Sequence, residues 1–560
     1  MELHIGIDVG GTFTDGVLLD AGQVVRTTKI ATDTSDLKGT LLEAIDVLIS
    51  GVNPHNIERM VLSTTLITNT LATDNGEATT AFIIPGPGMM VSDLNLPGHI
   101  EVLNGMVDFR GRIIESLDPE EVAAAARRAA RRGIKNVAVV SKFSGRNPEL
   151  EIEASRIIKS VSPDFNITLG STVAGGLNFP RRVITAYYTA MTVSSWQEFT
   201  QAIEVAVRER GIRCPLSVLK ADGGTIDLAG SLGQPCETIF SGPAASAMGA
   251  VALVNPEGPA VMVDIGGTTT DLALILDGEP LQASRGAKIL DRFSQIHSVA
   301  VSSLSLGGDS LVSIDKSREI IVGPKRLGPA ACYGGNHPTP TDAYNVINNG
   351  IFGNLQYSKS AFNELVQKCD MSLEEIAAET MRVMVGGIYD GILTMFRRWE
   401  EEPAYKVWEV INRRKIKPQA IIGIGAAAGL AVTNIAALFG AKPILHQYTP
   451  VGNAIGAAVA RPTLQLQLHV DTTTGHYNCD LDGIYGKVSR QYKMSDAHTL
   501  AQELLVAASA KRNMQVDPEM IKVYRDEQFN VIRGWDTAGR ILDVGIKIAP
   551  GVISEYRGVL

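Results

Sequence analysis

Cysteine is sparse in this sequence and forms no pattern. The five residues, Cys214, Cys236, Cys332, Cys369 and Cys479, are odd in number and include no C-x-x-C pair. That argues against a structural zinc and a disulfide scaffold, and fits a reducing cytoplasm. Positive charge is in deficit: 51 Lys and Arg stand against 60 Asp and Glu, a formal net charge of −9. No nucleic-acid partner is expected, because such a partner needs a basic face. A secretory leader is not read at the start, where Met1-Glu2-Leu3-His4 has no basic stretch before an apolar strand. Long apolar runs are missing except for Ala420 to Ala441, interrupted only by Thr433 and Asn434. Glycines at 423, 425, 429 and 440 punctuate it, so it reads as a strand, a loop and a helix rather than a membrane span. No side chain stands out as a general base beside a nucleophile. What remains is ordinary globular composition, 45% hydrophobic and 20% charged, in 560 residues, enough for two to four domains.

What is present is written twice. Ile5-Gly6-Ile7-Asp8-Val9-Gly10-Gly11-Thr12-Phe13-Thr14-Asp15 is an apolar strand, a glycine turn with hydroxyls, and the start of a second strand that continues through Gly16-Val17-Leu18-Leu19. Val261-Met262-Val263-Asp264-Ile265-Gly266-Gly267-Thr268-Thr269-Thr270-Asp271 repeats the order, followed by Leu272-Ala273-Leu274-Ile275. Such hairpins gather backbone N–H groups and threonine hydroxyls into a concave turn suited to anions. Asp8 and Asp264, each at a strand end, stand where a Mg²⁺ on phosphates would sit. A duplicated element implies two similar halves facing each other across a cleft.

Between and after the hairpins the chain alternates helix and strand, the mark of α/β architecture. Asp36 caps a helix from Leu37. Residues 60–72 begin as a strand and turn into a helix start rich in hydroxyls, Ser63, Thr64, Thr65 and Thr68, with Asn69. Both a capped helix and a wall of an active cleft fit that segment. Asp118-Pro119-Glu120-Glu121 opens a helix whose terminal arginines complement its dipole rather than form a nucleic-acid patch. A long helix is expected from about 181 to 210, a strand ending in a glycine turn over 216–224, and helices over roughly 372 to 414. Ser241-Gly242-Pro243-Ala244 enters a helix with N–H groups free for an anion. Ser305-Leu306-Gly307-Gly308-Asp309-Ser310 is a glycine turn next to the second hairpin. Gly425 to Gly429 is another, where small residues let backbone approach a flat ring. The loop 328–343 is long, and loops of that length are usually functional or disordered; its cysteine and aromatic residue argue against disorder. Residues 464–560 read as an α+β appendage without a nameable catalytic motif.

The paired hairpins resemble those of the actin, sugar-kinase and chaperone ATPase superfamily. More specifically, residues 4–461 resemble the hydantoinase/oxoprolinase family, A-type ATP-binding subunits of N-methylhydantoinase, 5-oxoprolinase and acetone-carboxylase-like enzymes. The resemblance rests on Asp-Val-Gly-Gly-Thr-Phe-Thr-Asp at 8–15, Ser-Gly-Pro-Ala at 241–244, Gly-Gly-Thr-Thr-Thr-Asp at 266–271, Gly-Pro-Ala-Ala-Cys-Tyr-Gly at 328–334 and Pro-Thr-Pro-Thr-Asp-Ala at 338–343. Where the family usually has His-Gly-Thr-Thr, this chain has Leu62-Ser63-Thr64-Thr65. Its glycine turns at 305–310 and 425–429 also depart from the family's. The resemblance therefore implies retained nucleotide machinery with an altered substrate side.

The expected fold is α/β: a first RNase H-like half over 1–190, a second over 191–463 carrying the nucleotide loops, and a small α+β domain over 464–560. The implied activity is ATP-dependent hydrolysis of a lactam, hydantoin or related cyclic amide, with a ketone carboxylase or an ATPase that remodels a partner as alternatives. ATP with Mg²⁺ or Mn²⁺ is expected, held by Gly10, Gly11, Thr12, Thr14, Gly266, Gly267, Thr268, Thr269, Gly307, Gly308, Gly425 and Gly429. Asp8 and Asp264 are the expected metal ligands. Together with Asp309 they are the expected catalytic residues, while Asp222 and Asp342 are acids with a competing structural explanation. Thr64, Thr65 and Asn69 are candidates for the substrate side. A B-type subunit and further copies in an oligomer are the expected partners, in the cytoplasm, with no membrane or nucleic acid.

Overall fold

The computed structural model describes residues 2–556 apart from 34, 74, 402–415, 513 and 515. The expected continuation of the helices from 402 to 414 therefore lies outside the described residues.

Two sheets carry the hairpins, and they share one topology. In the first, Gln23–Ala31, Phe13–Asp20 and Leu3–Val9 run antiparallel; Ile57–Thr64 and then Leu216–Leu219 continue in parallel, with Thr225–Asp227 at the edge. In the second, Glu279–Pro280, Thr270–Leu276 and Ala260–Ile265 run antiparallel, with Val301–Leu304 also against the middle strand; Ala420–Ile424 and Lys442–Ile444 continue in parallel. Three antiparallel strands followed by two parallel ones, twice, form the two RNase H-like halves. The innermost strands are mostly apolar because each sheet is covered on both faces; Leu3–Val9 is buried at every position, His4 and Asp8 included.

The first sheet does not close within the first 190 residues. Leu216–Leu219, expected to lie in the second half, pairs with Ile57–Thr64. The reason is the crossover: a parallel partner requires a long connection, and here that connection contains the 31-residue helix Phe179–Glu209. Inside the same connection sits a four-stranded parallel sheet, in the order Asn166–Leu169, Asn136–Ser141, Thr79–Ile84, His99–Val102. Phe82, Ile84, Val137 and Val139 share one apolar cluster with the helices Pro119–Arg131 and Glu149–Val161. Ala81, Ile83, Ala138 and Val140 share another with the long helix. Successive residues of a strand serve opposite faces.

Asp36 accepts from Gly39 N to cap the helix Leu37–Ile49. The apolar run 420–441 divides into the strand Ala420–Ile424 and the helix Val432–Phe439. Among the described residues no helix is long and apolar enough to cross a membrane.

The small helix Gly452–Val459 binds the halves together. It packs on the helix Ser241–Val254 and on the first sheet. A Cβ on Gly6 would overlap Ala454 O, and one on Gly456 would overlap Ala245 O, so glycine is what permits these backbones to touch. After residue 463 an antiparallel sheet of five strands, Tyr485–Lys487, His476–Cys479, Leu464–Asp471, Asp536–Ile548 and Ile521–Arg533, packs on the helix Met494–Lys511. It meets the inserted parallel sheet's domain through buried ion pairs, Arg146–Asp543 at 2.9 Å and Arg110–Asp471 at 2.7 Å.

Candidate active site

The two hairpin turns close alike. Gly10 N donates to Phe13 O at 3.1 Å, and Gly266 N to Thr269 O at 3.0 Å. Both turns open onto one cleft of about 1710 Å³ between the halves. Asp8 is paired in register with Asp15 across the first hairpin, and Asp264 with Asp271 across the second. All four line the cleft. Burial raises every one of these carboxyls, Asp8 to about 6 and Asp264 to about 7. The neighbouring charges add to this: Asp15 and Asp264 on Asp8, Asp271 and Asp15 on Asp264.

Their partners are specific. Asp8 Oδ2 accepts from Asn453 Nδ2 at 2.7 Å, and Asp15 Oδ1 from Lys29 Nζ at 2.6 Å. Asp264 Oδ2 accepts from the Ser246 hydroxyl, which belongs to the helix entered by the Ser-Gly-Pro-Ala segment. Asp8 Oδ1 and Asp271 Oδ1 are buried and accept no well-formed hydrogen bond, although the Ser63 and Ser303 hydroxyls are near enough to pull their carboxyls down against burial. An orphaned buried carboxylate oxygen is the chemistry a hard cation satisfies. Among the described residues no three or more His, Cys, Asp or Glu side chains gather to hold a metal.

Most of the expected site residues come together. Gly10, Gly11, Thr12, Gly266, Gly267, Thr268, Thr269, Gly308, Asp309 and Gly425 line the cleft, as do Thr65 and Asn69. Gly308 N and Asp309 N donate to Gly266 O and Gly267 O at 2.9 and 2.8 Å, seating the third glycine turn on the second hairpin. Asp309 is not free: Arg326 pairs with it at 3.0 Å. Burial raises its carboxyl, and Arg326 opposes that. Gly425 has φ +86, and a Cβ there would overlap Asp264 Oδ1.

Four expected residues stand apart from the lining. Thr14 is buried, its hydroxyl 3.0 Å from that of Thr32. Thr64 is buried and accepts from Leu66 N at the start of the next helix. Gly307 packs against the second turn, where a Cβ would lie 2.6 Å from Gly267 O. Gly429 is exposed and does not line the cleft. Asp222 and Asp342 are structural. Asp222 holds Gly224 N, Lys220 and Thr463. Asp342 accepts from Ala331 N, Cys332 N, Thr339 Oγ1 and Ser358 Oγ at 2.7 to 2.8 Å, pinning the long loop 328–343.

The structure adds Lys29, Ser246, Asp271, Arg326 and Asn453 to the cleft. Asp271 could have been found from the repeat alone, as the counterpart of Asp15. Lys29, Ser246 and Arg326 come from neighbouring elements, 14 to 18 residues from the acids they hold, and Asn453 reaches Asp8 across 445.

Paired Gly-Gly-Thr hairpins with aspartates at their strand ends, on two halves of equal topology, define a two-lobed α/β protein with one polar cleft between the lobes. The chain belongs to the hydantoinase/oxoprolinase family: the family's N-terminal region model matches residues 4–162, and the hydantoinase/oxoprolinase model matches residues 182–465. It is 24% identical over 481 residues to caprolactamase subunit alpha of Pseudomonas jessenii, covering 79% of this chain and 68% of that one. It is 25% identical over 515 residues to the acetophenone carboxylase gamma subunit of Aromatoleum aromaticum, covering 81% and 67%. Among solved structures, nucleotide-free acetone carboxylase superposes with a TM-score of 0.73 at 18% identity, covering 100% of this chain and 88% of that one. ATP-dependent caprolactamase from Pseudomonas jessenii superposes with 0.63 at 18% identity, covering 97% and 87%. At that identity the likeness is one of fold.

Proposed function

We propose that this chain is the ATP-binding subunit of an ATP-dependent enzyme that activates the carbonyl of a lactam, hydantoin or related cyclic amide. The observation that carries the proposal is the pair of facing hairpins, which point two glycine turns and the aspartates Asp8 and Asp264 into one cleft. Membership of the hydantoinase/oxoprolinase family and likeness to a caprolactamase subunit support the substrate class.

An unstrained amide opens slowly at neutral pH, and phosphorylating its oxygen turns that oxygen into a leaving group. The amide oxygen attacks the γ-phosphorus and ADP departs; water then adds to the carbon, the C–N bond breaks as the protonated ring nitrogen leaves, and a second water displaces phosphate, carrying the original carbonyl oxygen, from the acyl phosphate that remains. Such a reaction needs positioning and charge neutralisation more than covalent help from the protein. The backbone N–H groups of Gly11, Thr12, Gly267 and Thr268 cradle phosphate oxygens, while those of Gly10 and Gly266 close the turns. Thr12, Thr268 and Thr269 add hydroxyl donors. Asp8 and Asp264 hold Mg²⁺ or Mn²⁺, which when bound neutralises charge on the transferring phosphoryl group. Thr65 and Asn69, joined by a 3.2 Å hydrogen bond, face the acceptor and can hydrogen-bond a neutral amide. A B-type subunit supplies the groups for hydrolysis that this chain lacks; both curated relatives above are named as subunits.

A second reading, an ATP-dependent carboxylase subunit acting on a ketone, is favoured by the superposition with acetone carboxylase. Oxygen labelling of the substrate carbonyl separates the possibilities. Transfer of label to phosphate with lactam opening supports the amidohydrolase. Turnover that requires ketone and bicarbonate supports the carboxylase. ATP consumed with all label left in the organic product means that ATP drives remodelling of a partner instead.

A further inference from the structure

We infer that Asn453 is a positioning residue for the reaction proposed above: its side-chain amide clamps Asp8 and Asp15 together and thereby fixes which oxygen of Asp8 is offered to the cleft. The inference rests on that reading for the chemistry, but on this structure alone for the clamp.

One amide nitrogen serves both acids. Asn453 Nδ2 donates to Asp8 Oδ2 at 2.7 Å and to Asp15 Oδ2 at 3.0 Å. Asn453 Oδ1 accepts from Ala454 N at 2.9 Å. The amide orientation is thus determined, since only the –NH₂ end can serve two carboxylates. With Asp8 Oδ2 held, Asp8 Oδ1 is left buried with no well-formed hydrogen bond, the Ser63 hydroxyl lying beside the carboxyl. Asp15 in turn is held at Oδ1 by Lys29. A side chain without two donors could not hold both acids.

Asn453 arrives from the other half. The segment 449–453 leaves the second sheet's glycine turn: Gly425 N donates to Thr449 O at 3.0 Å, and Thr449 Oγ1 to Gly423 O at 3.2 Å. One residue later Lys29 Nζ donates to Pro450 O at 3.2 Å. Asn453 then opens the helix Gly452–Val459, whose close packing on Gly6 fixes its distance from the first hairpin's strand. This strap ties the Gly425 turn, next to Asp264, to the carboxylate pair of the opposite hairpin. The aspartates of the two halves are therefore set relative to each other by hydrogen bonds as well as by the packing of the helix Gly452–Val459.

The phosphate turns do not involve Asn453, so its loss should separate binding from chemistry. The test uses the full chain with its partner subunit. Asn453→Asp keeps the shape and loses the donors; Asn453→Leu keeps the approximate volume and has none; Asn453→Ser keeps one. The expected result is unchanged ATP affinity by calorimetry, kcat for phosphate release down at least about tenfold in the Asp and Leu variants, and partial recovery in Ser. Affinity and kcat falling together, or neither falling, would overturn the inference. Denaturant midpoints test the clamp without activity, in cycles of Asn453→Leu with Asp8→Ala and with Asp15→Ala. Coupled shifts support the clamp and additive shifts overturn it. Wild-type protein that binds no ATP would defeat the functional reading, and the cycles would still decide the clamp.

Discussion

Ser246 donates its hydroxyl to Asp264, and that bond fastens the helix entered by Ser-Gly-Pro-Ala to the second hairpin. The same helix begins near Asp8, where a Cβ added to Gly242 would lie 3.8 Å from Asp8 Oδ1. A single element thus holds the key carboxylate of one half and borders that of the other. An isosteric amide at 264 would keep the Ser246 bond and remove the charge.

Asp264→Asn should abolish turnover while stabilising the protein above neutral pH. Burial raises the Asp264 carboxyl to about 7, above the ordinary value the unfolded chain would show. A carboxyl raised on folding opposes stability progressively as pH climbs from about 4, the unfolded value, to about 7, and fully beyond. The variant should therefore be about 1–3 kcal/mol more stable at pH 8 and indistinguishable near pH 4. Phosphate release should fall at least about a hundredfold. Denaturant midpoints across that pH range, beside an activity assay at pH 8, check both halves of the statement.

Gly267→Val places a Cβ 2.6 Å from Asp309 Oδ2, whose carboxylate Arg326 holds. The valine must displace that ion pair and also fill the approach to the turn. ATP affinity should drop at least about tenfold, or ~1.4 kcal/mol, in a chain that still folds. Calorimetry with unchanged affinity would remove the nucleotide from this turn.

Asp342→Ala should be a stability variant. It leaves two backbone N–H groups and two hydroxyls without their acceptor, a loss of about 3 kcal/mol or more. The loop 328–343 should become the first site of limited proteolysis. A variant as protease-resistant as the native chain, but catalytically dead, would move Asp342 into the reaction instead.

The hairpins are legible in the sequence because each is local and repeated: strand, Asp, Gly-Gly, Thr and Asp lie within eleven residues. Asn453 is not, since it reaches Asp8 across 445 positions and reads locally as one polar residue at a helix start. Lys29 looks like any charge on an alternating strand until Asp15 appears opposite it. Thr14 looks like a hydroxyl donor, yet a β-strand sends successive side chains to opposite faces, and Thr14 turns to Thr32. The place of Leu216–Leu219 was hidden for a related reason: an apolar run shows that a strand exists, while its partner is chosen by a crossover of more than a hundred residues.

That crossover, with the helix Gly452–Val459, has a practical meaning for dissecting the molecule. The first sheet takes strands from residues 3–64 and 216–227, and the helix 452–459 packs against it from the far end of the second half. No single cut in the gene yields a complete lobe. A fragment ending at residue 190 would expose the edge of Ile57–Thr64 and the glycine face that receives Ala454. One beginning at 191 would carry an orphan strand pair. The two lobes resemble each other as copies, but they are laced together and must be made as one chain.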